Sequence, residues 1–405
     1  MTTTLSEAPV RSAVETAPRE ALHELQLRRL RTALARRELV EHVETLEDVC
    51  RLPFTVKADL RASYPLGMMT VAGPELVRLH SSTGTSGRPT LVGHTRADLD
   101  VWAELMARTL ACAGVRPGMV VHNAYPYGLT TGGFGFQQGA ERLGATVVPA
   151  AGASLEQQAA LIRDLGAQVL CCPPSFAVQL AGVLDETPLE IGLFGGEMWT
   201  PVLGERIESA LGLKALNTYG LSEVIGPGVA SECHLGCGMH VNEDHFLVEV
   251  VDPGTLQPVP AGELGELVIT TLTREAMPLI RYRTGDLTSL IDEPCACGRT
   301  TARLRPLLGR IADVLQLRGV AVYPSQIEQA LLAQPGLAPI YQLVAGDDDA
   351  FARCEPLDAS ADRPALAERV RAALLDRYGL DLPIVIEPPG ALPRTAGKAV
   401  RVIRL

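Results

Sequence analysis

The sequence predicts an α/β protein with a large multi-subdomain N-terminal domain, made of α/β layers plus a β-rich subdomain, and a small α+β C-terminal domain. Three observations predict it. Between residues 76 and 212, short apolar runs alternate with amphipathic stretches, the pattern of parallel strands and crossover helices. From about residue 245 strand-like runs joined by Pro/Gly turns take over. From Asp313 onward short strand and helix patterns alternate again.

In chain order, residues 1–20 are rich in Thr, Ala and Glu and read as a disordered tail. Leucines at near-helical spacing predict an amphipathic helix from Ala21 to about Cys50. LVRLH, MVVHN, ATVVPA, AQVLCC and IGLFGG read as short buried strands. DLDVWAELMARTLACAG, SLEQQAALIRDLG and GERIESALG read as the intervening helices. HFLVEVVDP, GELGELVITTL and VLQLRG read as antiparallel strands. The N-terminal domain is expected over residues 21–311 and the C-terminal domain over 312–405.

Composition narrows the function. The 405 residues are 47% hydrophobic and 20% charged, which supplies a core and rules out disorder for most of the length. The net charge of −11, with no Lys/Arg cluster to interrupt it, argues against a nucleic-acid or anionic-membrane partner. No stretch approaches the ~18–20 apolar residues of a membrane span. The opening MTTTLSEAPV lacks the basic and apolar segments of a signal peptide, so a cytoplasmic location is expected. Arginine outnumbers lysine 33 to 3, leaving only Lys57, Lys214 and Lys398. A surviving lysine is then a candidate for a task that Arg does badly. Nine cysteines without a signal peptide point to reduced thiols, some of them metal-bound.

Three segments carry polar chemistry. Ser81-Ser82-Thr83-Gly84-Thr85-Ser86-Gly87-Arg88-Pro89-Thr90 follows a strand, and its glycines, hydroxyls and cation suit a polyphosphate. Its spacing is not that of a P-loop. Asn217-Thr218-Tyr219-Gly220-Leu221-Ser222-Glu223 joins an aromatic, a tight turn and a carboxylate; Tyr219 suits a base and Glu223 suits Mg²⁺. Arg281-Tyr282-Arg283-Thr284-Gly285-Asp286 offers a carboxylate that can accept two ribose hydroxyls.

Together with Gly309-Arg310-Ile311-Ala312-Asp313 and the terminal PRTAGK, these segments resemble the adenylate-forming superfamily of acyl-coenzyme A synthetases. Longer runs, LPFTVKADLRASYPLGMM, YGLSEVIGPGVASEC, TTLTREAMPLIRYRTGDLT and RGVAVYPSQIE, resemble its phenylacetate–coenzyme A ligase branch, from about Leu52 to Leu405. The resemblance implies that ATP and a carboxylic acid give an acyl-adenylate and pyrophosphate. A mobile C-terminal domain then rotates, and a thiol such as coenzyme A takes the acyl group. It further implies that Ser82 and the Thr83–Arg88 loop embrace the β- and γ-phosphates. Gly196, Glu197, Asn217, Thr218 and Tyr219 would lie on the ATP side, with Tyr219 against adenine. Asp286 and Arg310 would hold the ribose, and Glu223 the Mg²⁺. Lys398 would bridge the carboxylate and the α-phosphate, where a compact ammonium neutralises two converging anions better than a planar guanidinium. Two departures stand out: Ala312 occupies the usual hinge aspartate, and Arg88 replaces a loop lysine.

Cys233, Cys237, His240, Cys295 and Cys297 form a second constellation from two Gly-containing loops, suited to a closed tetrahedral Zn²⁺. The resembled branch matches Cys233, His240, Cys295 and Cys297, with Cys237 or His234 able to replace one. Adjacent Cys171 and Cys172 end a buried strand and read as core. For the acyl group, the resemblance implies a slot lined by Tyr127, Phe134, Phe136, Gly195, Ile225, Gly226 and Pro227, where glycines beside aromatics leave room for an aryl ring. Gln137 and Gln138 hint at a hydroxy- or amino-substituted acid. The expected enzyme is an ATP-dependent aryl-CoA ligase. Its nearest rival adenylates the acid but passes it to a carrier-protein thiol or an amine. A more distant rival is a non-catalytic nucleotide-binding regulator. The chain size and the resemblance are compatible with a homodimer.

Overall fold

A computed structural model describes residues 12–39, 43–82, 89–317, 320–346, 350–394 and 399–405. The phosphate-loop residues Thr83, Gly84, Thr85, Ser86, Gly87 and Arg88, and Lys398, lie outside the described residues.

The large domain is organised by a nine-stranded mixed sheet. Five strands run parallel, Thr146–Pro149, Val120–Asn123, Val169–Cys172, Ile191–Gly195 and Lys214–Leu221, in that spatial order. Strands Gly226–Glu232, Met239–Val241, Arg303–Leu304 and Leu290–Ile291 extend it antiparallel. Val169–Cys172 and Ile191–Gly195 are buried throughout because helices cover both faces, which is why they read as unbroken apolar runs. Cys171 and Cys172 are fully buried in that layer. On one face, helix Arg96–Ala113 starts where the Thr95 side chain accepts from the Asp98 amide and stops at Gly114 in the left-handed region. It places Trp102, Leu105, Met106 and Leu110 in the main core. On the other face, helices Leu155–Asp164, Pro174–Ala181 and Pro201–Leu211 enclose a second core.

A four-stranded antiparallel sheet, Phe246–Val251, Gly265–Thr271, Tyr282–Thr288 and Gly309–Arg310, forms the β-rich subdomain. The C-terminal portion has the sheet order Ile384–Ile386, Ala350–Pro356, Leu337–Ala345, Val402–Arg404, with helices Pro324–Leu332 and Arg363–Tyr378. A 3-10 turn at Ile311–Asp313 lies where the two portions join, and Ala312 sits in it. Among the described residues, no helix is long and apolar enough to cross a membrane.

Two expectations need correction near the N-terminus. The helix runs over Arg19–Arg36 rather than to Cys50, and a separate 3-10 turn covers Leu46–Arg51. Residues 12–20 are not a frayed tail: Glu15 is buried and its carboxylate accepts from Arg299 Nε at 2.8 Å. Thr300 ties the same segment down, its amide donating to Glu15 O and its hydroxyl to Ala17 O. A buried ion pair 284 residues apart in sequence leaves no local signature.

Candidate functional site

The ends of the parallel strands carry the residues that sequence reading placed around ATP. Strand Lys214–Leu221 ends in the turn that leads to Glu223, and neighbouring Gly195 pairs with Thr218 across the sheet. A Cβ on Gly195 would lie 2.2 Å from Thr218 O, so only glycine permits that register. Gly196 follows at a φ of 80°, an exposed turn residue. The Asn217 amide donates to the Glu232 carboxylate at 2.8 Å, anchoring the strand.

Asp286 is drawn into this cluster from the neighbouring sheet. Its Oδ2 accepts from Tyr219 Oη at 2.8 Å and its Oδ1 from Arg310 Nε at 3.0 Å. Burial pushes the Asp286 carboxyl upward, against the pull of the Arg310 cation. Burial and the adjoining carboxylate push the Tyr219 phenol far above its ordinary value, so it stays a donor. The Arg310 side chain is half exposed, so the carboxylate is braced from the solvent side by a group that can move.

Glu223, buried, faces Lys57 Nζ at 3.2 Å. Sequence reading had set Lys57 apart only as one of three lysines; its signal was the arginine bias, and the ion pair gives it a partner. Lys214 instead pairs with Glu208 at 3.6 Å on the surface. Glu197 accepts at one oxygen from Ser175 Oγ at 2.6 Å and from the Ala399 amide at 2.7 Å. Burial pushes its carboxyl up. The residue after Lys398 thus docks on the large domain. Among the described residues, three buried polar atoms here have no hydrogen-bond partner: Ser82 Oγ, Thr218 Oγ1 and Glu197 Oε2.

The expected acyl slot is altered. Gly132–Leu143 is a helix, and its glycines serve close packing: a Cβ on Gly135 would lie 2.8 Å from Pro227 and 3.0 Å from Trp102. Phe136 is a core residue stacked on Tyr125 at 4.7 Å, and Ile225 is equally buried in the core. Neither faces open space. Tyr127, Phe134 and Pro227 stay half-buried, with the Tyr127 and Phe134 rings edge-to-face at 5.2 Å. Gly226, at a φ of 129°, packs against Trp102 and Thr131. Gln137 bonds Glu141 along the exposed side of its helix, which removes it from the slot.

The thiol constellation comes together as four residues. Cys233, His240, Cys295 and Cys297 are all buried, with ligand atoms within 4.8 Å of one another. Cys237 is exposed and outside the set. The Cys233 and Cys295 sulfurs are 3.8 Å apart, and Cys297 Sγ lies 3.4 Å from His240 Nε2. A tetrahedral zinc with bonds of ~2.3 Å to sulfur and ~2.0 Å to nitrogen sets edges of roughly 3.5–3.8 Å, so the donor set fits. Burial, with Arg299 and Arg303 nearby, pushes the His240 imidazole down to about 3, leaving it neutral. Burial raises the Cys297 thiol, but the Arg299 amide, Cys295 and the Arg299 guanidinium outweigh it and bring it below its ordinary value. His240 Nδ1 meets Thr301 Oγ1 at 3.2 Å, which fixes the ring. Sequence reading missed Cys112, which the helix Arg96–Ala113 packs beside this cluster.

Comparison with known proteins identifies the family. Residues 21–273 match the AMP-binding enzyme family and residues 319–405 the AMP-binding enzyme C-terminal domain. The chain is 45% identical to a phenylacetate–coenzyme A ligase of Thermus thermophilus, covering 96% of this chain and 97% of that one. It is 40% identical to the Escherichia coli phenylacetate–coenzyme A ligase, covering 97% of each. A crystal structure of 2-hydroxyisobutyryl-CoA ligase in its postadenylation state superposes with a TM-score of 0.88 at 28% identity, covering 99% of this chain and 94% of that one. The thioesterification state of that ligase, at 29% identity and the same coverage, gives 0.71. The chain belongs to the phenylacetate–coenzyme A ligase family of AMP-binding enzymes and is an AMP-forming acid–CoA ligase.

Proposed function

We propose that the acid is aromatic, of the phenylacetate or substituted-benzoate kind, and that the acceptor is coenzyme A itself. The observation that carries the nucleotide half is a set of buried polar atoms without partners among the described residues, Ser82 Oγ, Thr218 Oγ1 and Glu197 Oε2, on the segments that carry the ATP motifs, together with the braced Asp286. Buried polar atoms cost free energy unless a ligand or water satisfies them. The half-buried Tyr127 and Phe134, edge-to-face at 5.2 Å, would form the aromatic wall of the acid site.

In this reading a carboxylate oxygen of the acid attacks the α-phosphorus of ATP, and the bond to the bridging oxygen breaks, releasing pyrophosphate. The Thr83–Arg88 loop holds the departing phosphates, and Lys398 neutralises the two anions as they meet. Asp286 accepts the ribose hydroxyls, and Arg310, already on its Oδ1, keeps the carboxylate charged. Tyr219 holds adenine over its ring while its hydroxyl stays on Asp286. In the second step the thiol sulfur bonds to the acyl carbon and AMP leaves. Glu223 is the residue that would hold Mg²⁺, which supplies charge neutralisation at the phosphates; Lys57 stands beside that carboxylate. Cys233, His240, Cys295 and Cys297 would hold a structural Zn²⁺, four donors with no open position.

ATP–pyrophosphate exchange against phenylacetates, benzoates and hydroxy- or aminobenzoates tests the reading. Exchange with an aryl acid, followed by CoA-dependent release of AMP, is expected. Exchange with aliphatic acids alone would overturn the aromatic assignment, and AMP release that ignores CoA would favour another acceptor.

A further inference from the structure

The two portions of the chain meet along helices Pro201–Leu211 and Pro324–Leu332, and a buried carboxylate sits in that seam. Glu328 is wholly buried. Its Oε1 accepts from the Thr200 amide at 2.9 Å and from Thr200 Oγ1 at 2.8 Å. Its Oε2 accepts from Tyr341 Oη at 2.7 Å, and Arg401 Nε lies 3.5 Å away. Thr200 is the N-cap of helix Pro201–Leu211 in the large domain, so a carboxylate from the other domain occupies the positive end of that helix. Tyr341 and Arg401 belong to the C-terminal domain, with the guanidinium 4.5 Å over the tyrosine ring. Glu328 is therefore shared, one oxygen facing each domain.

Further along helix Pro201–Leu211, Arg206 donates to the carbonyl of Leu332 at the C-terminal end of helix Pro324–Leu332, to that of Gln334 just beyond it and to that of Leu337 where the next strand begins. Leu332 itself is buried in the large domain's second core. The same arrangement brings the Ala399 amide to Glu197, one residue beyond Lys398.

We propose that Glu328 is a positioning residue that latches the C-terminal domain over the nucleotide site for adenylation and, by letting go of Thr200, releases it for thioester formation. The proposal rests on the two-step reading above. Its chemistry is suited to release. When the domains part, Glu328 keeps Tyr341 and Arg401, so the carboxylate is not left orphaned, while the Thr200 amide and hydroxyl pass to water. A carboxylate with all its partners in the other domain would lose every one of them on opening, a larger cost. The bond to Thr200 is thus strong enough to hold and weak enough to break. Arg401, held between Glu328 and Tyr341, follows Lys398 by three positions in the sequence. The chain superposes better on the postadenylation state of the 2-hydroxyisobutyryl-CoA ligase, at 0.88, than on its thioesterification state, at 0.71, so this seam accompanies the arrangement that precedes thioester formation.

The test measures the two half-reactions separately on the full-length enzyme, with an acid that supports exchange in the wild type. Thr200→Val and Glu328→Gln are each expected to slow aryl-adenylate formation by about tenfold, with KM for ATP and acid little changed. Thioester formation from supplied aryl-adenylate and CoA is expected to hold or rise. Hydrogen exchange supplies a readout independent of activity: the Ala399 amide should exchange faster in both variants, while the 337–356 sheet is unaltered. Thr200→Val lies outside the C-terminal fold and covers the case in which Glu328→Gln folds poorly. Equal loss in both half-reactions, or no loss in either, would overturn the latch. A wild type that exchanges pyrophosphate with no acid would sink the adenylation reading, and unaltered exchange at Ala399 would then sink the latch as well.

Discussion

The Cys/His cluster and the nucleotide site are both assembled from segments that are distant in sequence, yet they are finished differently. In the cluster, three thiols and an imidazole already stand within 4.8 Å of one another, and Arg299, Thr301 and the Glu15 strap close it from outside. In the nucleotide site, the carboxylates are held by stand-ins: Asp286 by Arg310 and Glu223 by Lys57. Several neighbouring polar atoms have no partner among the described residues. On the proposed function, the first would keep what it holds and the second would exchange it. The difference lies in exposure: Arg299 is almost wholly buried, while Arg310 and Lys57 each keep about half of their side chain in solvent.

Substitutions sharpen this comparison. The largest effect is expected at Lys398, on the exchanging side. Lys398→Ala should slow adenylate formation by roughly 10²–10³-fold, the usual consequence of losing a transition-state charge partner. Thioester formation from supplied adenylate should persist; loss of both half-reactions would remove the assignment. On the retaining side, Cys297→Ser should abolish zinc in the purified protein by elemental analysis. It should also lower the melting temperature steeply, since metal loss ranks with changes above ~4 kcal/mol. Native protein free of zinc, with an unchanged melting temperature, would leave the cluster as packed thiols.

Smaller effects follow at the stand-ins. Asp286→Asn should raise KM for ATP by about tenfold, because the ribose loses an ionic acceptor in a dry site. Lys57→Ala should be milder still, as a half-exposed ion pair is worth about 1 kcal/mol or less. If Lys57 only occupies Glu223 until Mg²⁺ arrives, the variant should need less Mg²⁺ for half-maximal rate. A higher requirement would show that Lys57 serves the phosphates instead. The smallest effect is one of pH. Glu355 accepts from the Gly390 and Leu392 amides and from Arg394, the residues leading to Lys398. Burial alone would raise this carboxyl, but those donors outweigh it and hold it below its ordinary 4.5. Its contribution is therefore complete above that value and is lost as pH falls through the lower folded value. The Leu392 amide resonance should move only below pH 4.5.

Much of this is legible in the amino-acid sequence. The buried parallel strands announced themselves as apolar runs, because a strand covered on both faces has no polar side to show. The five candidates Cys233, Cys237, His240, Cys295 and Cys297 were legible because thiols and imidazoles are rare, and the resemblance pointed to the four that the fold brings together. The glycines of Gly132–Phe136 looked like room for a ring; in the fold a Cβ on Gly135 would meet Pro227 and Trp102, and one on Gly133 the carbonyls of Tyr125 and Pro126.

The sequence by itself determined the layered fold, the order of the nucleotide motifs and the thiol donors, because each is written in local periodicity or in the residue types that a chemistry demands. Only the tertiary structure decided which carboxylates face which cations, that Phe136 and Ile225 are core, that Cys112 joins the cluster and that Glu328 bridges the domains. Those outcomes depend on contacts between residues far apart in sequence: Thr200 and Glu328 are separated by 128 positions, Glu15 and Arg299 by 284. Local propensity carries no term for such pairs. They are selected when burial makes an unpaired charge too costly to leave, and burial is a property of the whole fold.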